Sequence, residues 1–104
     1  MPKYLLGYHG GTMPETEAGQ AAAMAAWVAW FGELGGAVVD GGNPTAAAKT
    51  IASDGSTTDG GGANPLSGYS ILQASDLDAA VTLAKGCPIF GEGGSIEVAE
   101  IVEM

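Results

Sequence analysis

His9 is the one histidine in the chain, and imidazole is the side chain whose unperturbed pKa suits proton transfer near neutrality. It closes the apolar run Lys3–His9, shares a face with Gly7, and precedes Gly10-Gly11. Missing side chains there leave room for a small ligand. Asp40 closes a second apolar run, just before Gly41-Gly42. If the two runs are neighbouring strands, Asp40 could orient His9 as an acid–base pair. The competing reading is a satisfied histidine and an aspartate that stabilises its own turn. Tyr8 and Tyr69 offer hydroxyls to a ligand, although ring burial accounts for both. Trp27 and Trp30 are either core residues or the wall of a pocket or subunit contact, Trp30 being the better placed for a wall.

Other chemistries lack their residues. One His and one Cys cannot make a structural zinc site, and no metal or cofactor is expected. There is no Walker A sequence, no GxGxxG after a strand and no GxSxG. In Gly91-Glu92-Gly93-Gly94 the glutamate would repel a phosphate. Asp54 and Asp59 lack calcium-loop spacing. Cys87 follows a predicted helix C-terminus, where the dipole disfavours a thiolate, so it reads as a packing residue. Glu97, Glu100 and Glu103 read as solvated charges on the last strand.

The elements that must position these residues are legible. Residues 68–102 read as strand, helix, loop and strand. In the strand, Tyr69, Ile71 and Gln73 alternate with Ser70, Leu72 and Ala74. Ser75 is the predicted N-cap, with Asp78 in the capping-box position. Leu77, Ala80, Val81 and Ala84 form a helical stripe, and Gly86 and Pro88 stop it. A strand follows from Ile96 to Val102.

In the first half, Tyr4, Leu6 and Tyr8 alternate with Leu5, Gly7 and His9. Thr12 and Glu15 predict a capping box and a helix from about Met13 to Leu34. Met24, Trp27, Val28, Phe31 and Leu34 share one face of it, with Trp30 on the flank. Residues 37–40 read as a short strand and Gly41-Gly42-Asn43-Pro44 as a turn. Lys49–Ser53 is a possible returning arm, and residues 54–66 a mobile loop or hairpin excursion. The order β-α-β-(β)-β-α-β predicts a ferredoxin-like α+β sandwich, an antiparallel sheet with two helices on one face. Strands apolar on both faces then need a cover for the helix-free side. The expected cover is a second copy, giving a homodimer.

Composition bounds the rest. The 104 residues make one domain, and the net charge of −9, with 12 acidic and 3 basic side chains, excludes a nucleic-acid partner. No apolar run reaches the roughly 18 residues of a membrane span, and Met1–Gly10 has a strand pattern rather than that of a signal peptide. A lone Cys fits a reducing, cytoplasmic compartment.

Gly68-Tyr69, Leu72, Ala74-Ser75, Leu77-Asp78, Cys87-Pro88 and Gly93-Gly94-Ser95-Ile96-Glu97-Val98 resemble the C-terminal half of YCII-related proteins. This group includes the "DGPF" subgroup. Pro14-Glu15, Trp27, Trp30-Phe31, Leu34 and Asp40-Gly41-Gly42-Asn43-Pro44 extend the resemblance over nearly the whole chain. It implies a dimeric α/β barrel, two ferredoxin-like protomers packed sheet to sheet with a cavity between sheet and helix. The subgroup's Asp-Gly-Pro-Phe stands here as Asp54-Gly55-Ser56-Thr57. The family's proposed His–Asp pair, with its His on the first helix, has no counterpart, because that helix contains no His. The implied fold is similar to that of small isomerases and lyases such as muconolactone isomerase.

Two functional expectations follow. One is a small-molecule-binding protein with isomerase- or lyase-type acid–base activity, its pocket formed by His9, Asp40 and aromatics of the first helix. The other is a non-catalytic dimeric accessory or regulatory module whose partner is another protein. A cavity with His9 on its wall favours the first; a filled interface with His9 in solvent favours the second.

Overall fold

Tyr4, Leu6 and Tyr8 are buried, while Lys3 before them and Leu5 between the first two are exposed. This alternation places β1 (Lys3–His9) at the centre of a sheet with a covered face and a barer one. The computed structural model describes all of residues 1–104. After β1 come α1 (Glu17–Leu34), β2 (Val38–Pro44), β3 (Lys49–Ile51), β4 (Thr57–Asp59), β5 (Leu66–Gln73), α2 (Leu77–Ala84) and β6 (Ser95–Glu100). The main sheet is four-stranded in the order β2-β5-β1-β6, with every neighbouring pair antiparallel. Helix α1 links β1 to β2 and α2 links β5 to β6. This is the ferredoxin-like α+β arrangement.

The helix starts differ from expectation. Thr16, not Thr12, caps α1, its Oγ1 accepting the Gly19 N–H at 3.0 Å. A start at Met13 would require helical backbone immediately before Pro14, which the proline ring disfavours. Thr12 instead donates its N–H to the Glu92 carbonyl at 3.1 Å. Asp76, rather than Ser75, caps α2 and accepts the Ala79 N–H at 2.7 Å. A carboxylate caps as well as a hydroxyl and also meets the positive end of the dipole.

The predicted turn at residues 41–44 is strand. β2 runs through it, with register shifts between Val38 and Asp40 and between Asp40 and Asn43. Gly42 makes this possible: its φ is +73°, and an added Cβ would collide with the Tyr69 carbonyl oxygen. The arm at residues 49–51 pairs with β4 in a separate exposed ribbon instead of returning to the main sheet. Asp54 closes that ribbon's turn by accepting from the Ser56 N–H and hydroxyl at 2.9 and 2.7 Å. These bonds hold its carboxyl below the ordinary aspartate value. The last strand ends at Glu100, and Val102 beyond it is exposed.

The core lies between the sheet and the two helices. Leu6, Tyr8 and Leu72 pack against Trp30, Ala84, Cys87 and Ile89, and a smaller cluster joins Tyr4, Ala74 and Ala80. The opposite face carries exposed Leu5 and Leu66 and half-buried Tyr69, Ile71 and Ala99. The chain exposes 6764 Å², against about 5,400 Å² for a typical monomer of its mass. Its radius of gyration, 15.0 Å, exceeds the roughly 13 Å usual for its length. No helix is long and apolar enough to cross a membrane.

Candidate functional site

A cavity of about 450 Å³ opens between α1 and one end of the sheet. Ala23, Met24, Trp27, Val28 and Phe31 form its roof. Their spacing of three and four residues puts them on one side of α1. The floor is largely backbone, from Gly41-Gly42 of β2 and Gly68 of β5, with Tyr8 and Ser70 supplying side chains. Thr12, Met13, Ile89 and Glu92 close the end. The volume suits a small molecule, and it exists because aromatic residues stand opposite glycines.

Two polar arrangements are built into this wall. The Tyr8 hydroxyl donates to Ser70 Oγ at 2.8 Å, and Ser70 donates onward to the Gly41 carbonyl at 2.6 Å. Burial pushes the Tyr8 phenol up to about 12, so it stays protonated and its oxygen can still accept a hydrogen bond. On the other side, Trp27 Nε1–H donates to Glu92 Oε1 at 3.3 Å. The Glu92 backbone is fixed by Thr12, whose N–H and hydroxyl both donate to its carbonyl. Trp27 stands edge-to-face with Tyr8 at 5.2 Å and is followed by Phe31 at 6.1 Å between ring centroids. These contacts set the indole that holds the carboxylate.

Of the residues expected at a site, Tyr8, Trp27 and Tyr69 border the cavity. Strand alternation places the Tyr69 side chain on the helix-free face, between inward-facing Gly68 and Ser70. Trp30 is core instead of wall: it is 3% exposed and its indole donates to the Leu83 carbonyl at 3.3 Å. Trp27 and Trp30 are three helical positions apart, a net offset of about 60° around the helix axis, which turns one to the cavity and the other to the core.

His9 and Asp40 are not brought together, and neither borders the cavity. β5 lies between their strands. Along it His9 is paired with Leu66 and Asp40 with Ile71, a separation of roughly 16 Å at the usual strand rise. His9 lies on the helix-free face, 8% exposed. Its Nδ1 is 3.1 Å from the Pro65 carbonyl, and its Nε2 lacks a hydrogen bond, 3.8 Å from Glu97 Oε1. Asp40 Oδ1 accepts the Gly42 N–H at 2.8 Å, stabilising its own bulge.

Glu92 is the residue that sequence reasoning missed. Flanked by glycines, it enters the sequence reading only as a charge that would repel a phosphate, and its partner Trp27 lies 65 positions away. The only local signal is the Pro88–Glu92 3-10 turn, which ties the loop to the core through buried Ile89.

The family model described as the YCII-related domain matches residues 6–104, which includes the cavity-bordering positions from Tyr8 to Glu92. No curated protein matches the chain. With all but the first five residues matched, the chain belongs to the YCII-related family.

Proposed function

We propose that the protein binds a small molecule in the cavity beneath α1 and works as a homodimer joined through the helix-free sheet face. The observation that carries the first part is the wall itself. An oriented carboxylate, a hydroxyl pair and an aromatic cluster converge on about 450 Å³ of space. Such convergence of a few fixed polar groups in an apolar cleft is the usual form of a ligand site. Acid–base activity of the isomerase or lyase type would rest on Glu92, the only carboxylate on the wall.

The dimer is supported by the surplus surface, and by Leu5 and Ile71, a cross-strand pair on the uncovered face. One free, buried cysteine suits a reducing, cytoplasmic setting. A non-catalytic dimeric module is the second reading, favoured by the same exposed face.

The test is a metabolite panel screened by thermal shift with wild type, His9→Ala and Val28→Trp, the last filling the cavity from its exposed roof. Ligands that stabilise wild type and His9→Ala, but not Val28→Trp, are expected. Hits that bind Val28→Trp equally well would overturn the site.

A further inference from the structure

The charge on the cavity wall has one sign. Glu92 is on it, and no Lys, Arg or His is. The chain's three cations are elsewhere: Lys3 opens β1, Lys49 pairs with Asp59 at 3.3 Å in the ribbon, and Lys85 follows α2. An anionic ligand would find no counter-charge here and would face a carboxylate.

The inner polar atoms also share a hydrogen-bonding sense. Tyr8 has given its hydrogen to Ser70, and Ser70 has given its own to Gly41. Trp27 has given its N–H to Glu92 Oε1, and Thr12 donates to the Glu92 carbonyl. The hydrogens of these four side chains are used; what they leave are acceptors, the Tyr8 oxygen and Glu92 Oε2, which accepts no hydrogen bond from the chain. Around them stand the rings of Tyr8, Trp27 and Phe31, whose faces attract a cation, and the polarizable thioethers of Met13 and Met24. Two further lining side chains could donate, the exposed Asn43 amide and the half-buried Ser67 hydroxyl, and both are uncharged.

A site with free acceptors, an oriented negative charge, aromatic faces and no cation selects a donor that is positively charged. We propose that the ligand is a small, largely apolar amine bound as its ammonium, with Glu92 as counter-ion and Tyr8 as second acceptor. This rests on the cavity being the ligand site, and names the chemical class it takes.

Three probes of one shape separate the possibilities: phenethylamine (cation), 2-phenylethanol (neutral) and hydrocinnamate (anion). Each is titrated at pH 7 by calorimetry, and by NMR on the Trp27 indole N–H, into wild type and Glu92→Gln. The glutamine keeps an oxygen for Trp27, so the wall is preserved. The amine is expected to bind wild type about tenfold more tightly than the alcohol, in keeping with a charge-assisted bond, and hydrocinnamate weakest. In Glu92→Gln the amine and the alcohol should come within about twofold. Equal binding of amine and alcohol to wild type, tighter binding of the acid, or an amine preference that survives Glu92→Gln would each overturn the ammonium assignment while leaving the cavity a ligand site. If none of the three moves the Trp27 resonance, the cavity reading fails, and the assignment with it.

Discussion

The indole N–H of Trp27 reaches the Glu92 carboxylate at 3.3 Å, tying the middle of α1 to the turn that precedes β6. One oxygen of the carboxylate is thereby held and the other left unbonded within the chain. Trp27→Phe is expected to cost about 1–2 kcal/mol in urea unfolding, from the lost charge-assisted bond and the looser aromatic cluster. Glu92→Gln should stay within about 0.5 kcal/mol of wild type. Equal stabilities for wild type and Trp27→Phe would mean the bond does not hold the wall.

The Tyr8–Ser70–Gly41 relay gives a second test. Ser70 is fully buried and the relay links β1, β5 and β2. Ser70→Ala leaves a buried phenol and a carbonyl without their shared partner and should cost about 1–3 kcal/mol. Tyr8→Phe combined with Ser70→Ala should cost less than the sum of the single changes, because one broken relay is counted twice. Strict additivity in the double-mutant cycle would contradict the coupling.

Stability should fall on the alkaline side. Burial raises the Cys87 thiol from 9.0 to about 11 and the Tyr8 phenol from 10.0 to about 12. Both are protonated in the fold and ionise earlier in the unfolded chain, so the unfolded state binds fewer protons above pH 9 and stability declines with rising pH. The Cys87 share is lost between about pH 9 and 11 and the Tyr8 share between about 10 and 12. Cys87→Ala should flatten the first part of the decline, as read from urea midpoints. A matching sign of burial is a thiol that reacts with a colorimetric disulfide reagent at pH 8 only after denaturant is added.

The proposed dimer predicts a particle of twice 10.3 kDa in sedimentation equilibrium at micromolar concentration. Leu5 and Ile71 are paired across β1 and β5 on the face concerned. Ile71→Asp should yield a folded monomer that still binds ligands in the cavity, since that space lies on the other side of the sheet. A wild-type monomer would end the proposal.

Gly42→Ala is expected to cost at least about 2 kcal/mol. Its φ of +73° disfavours a side chain, and the new methyl would meet the Tyr69 carbonyl. Circular dichroism melts would show it as a lower Tm.

Legibility in the sequence followed the strength of the side-chain signal. β1 was expected over Lys3–His9 and is found there, because its residues alternate and two glycines stop it. The helix-sheet order was readable for the same reason, and with it the ferredoxin-like fold. The stretch 41–44 was misread as a turn, since glycines carry no side chains to report a bulged strand. The Trp27–Trp30 assignment failed because the apolar stripe on α1 is wide enough to include both. His9 closes β1 as expected, but Asp40 lies inside β2, which continues to Pro44, and pairing depends on strand order, with β5 between the two strands. Glu92 acquires its role only through a contact distant in sequence.

The floor of the cavity is a subtraction: its shape is set by side chains that are not there. Gly42 is locked by its backbone, yet its neighbour Gly41 has φ outside the left-handed region, and a methyl added to it meets nothing within 4 Å. A single codon change at that position could therefore trim the space without disturbing the sheet. On the proposed reading of the cavity as a ligand site, the range of molecules it accepts can drift by small steps through evolution, or be steered by hand, from one residue of β2.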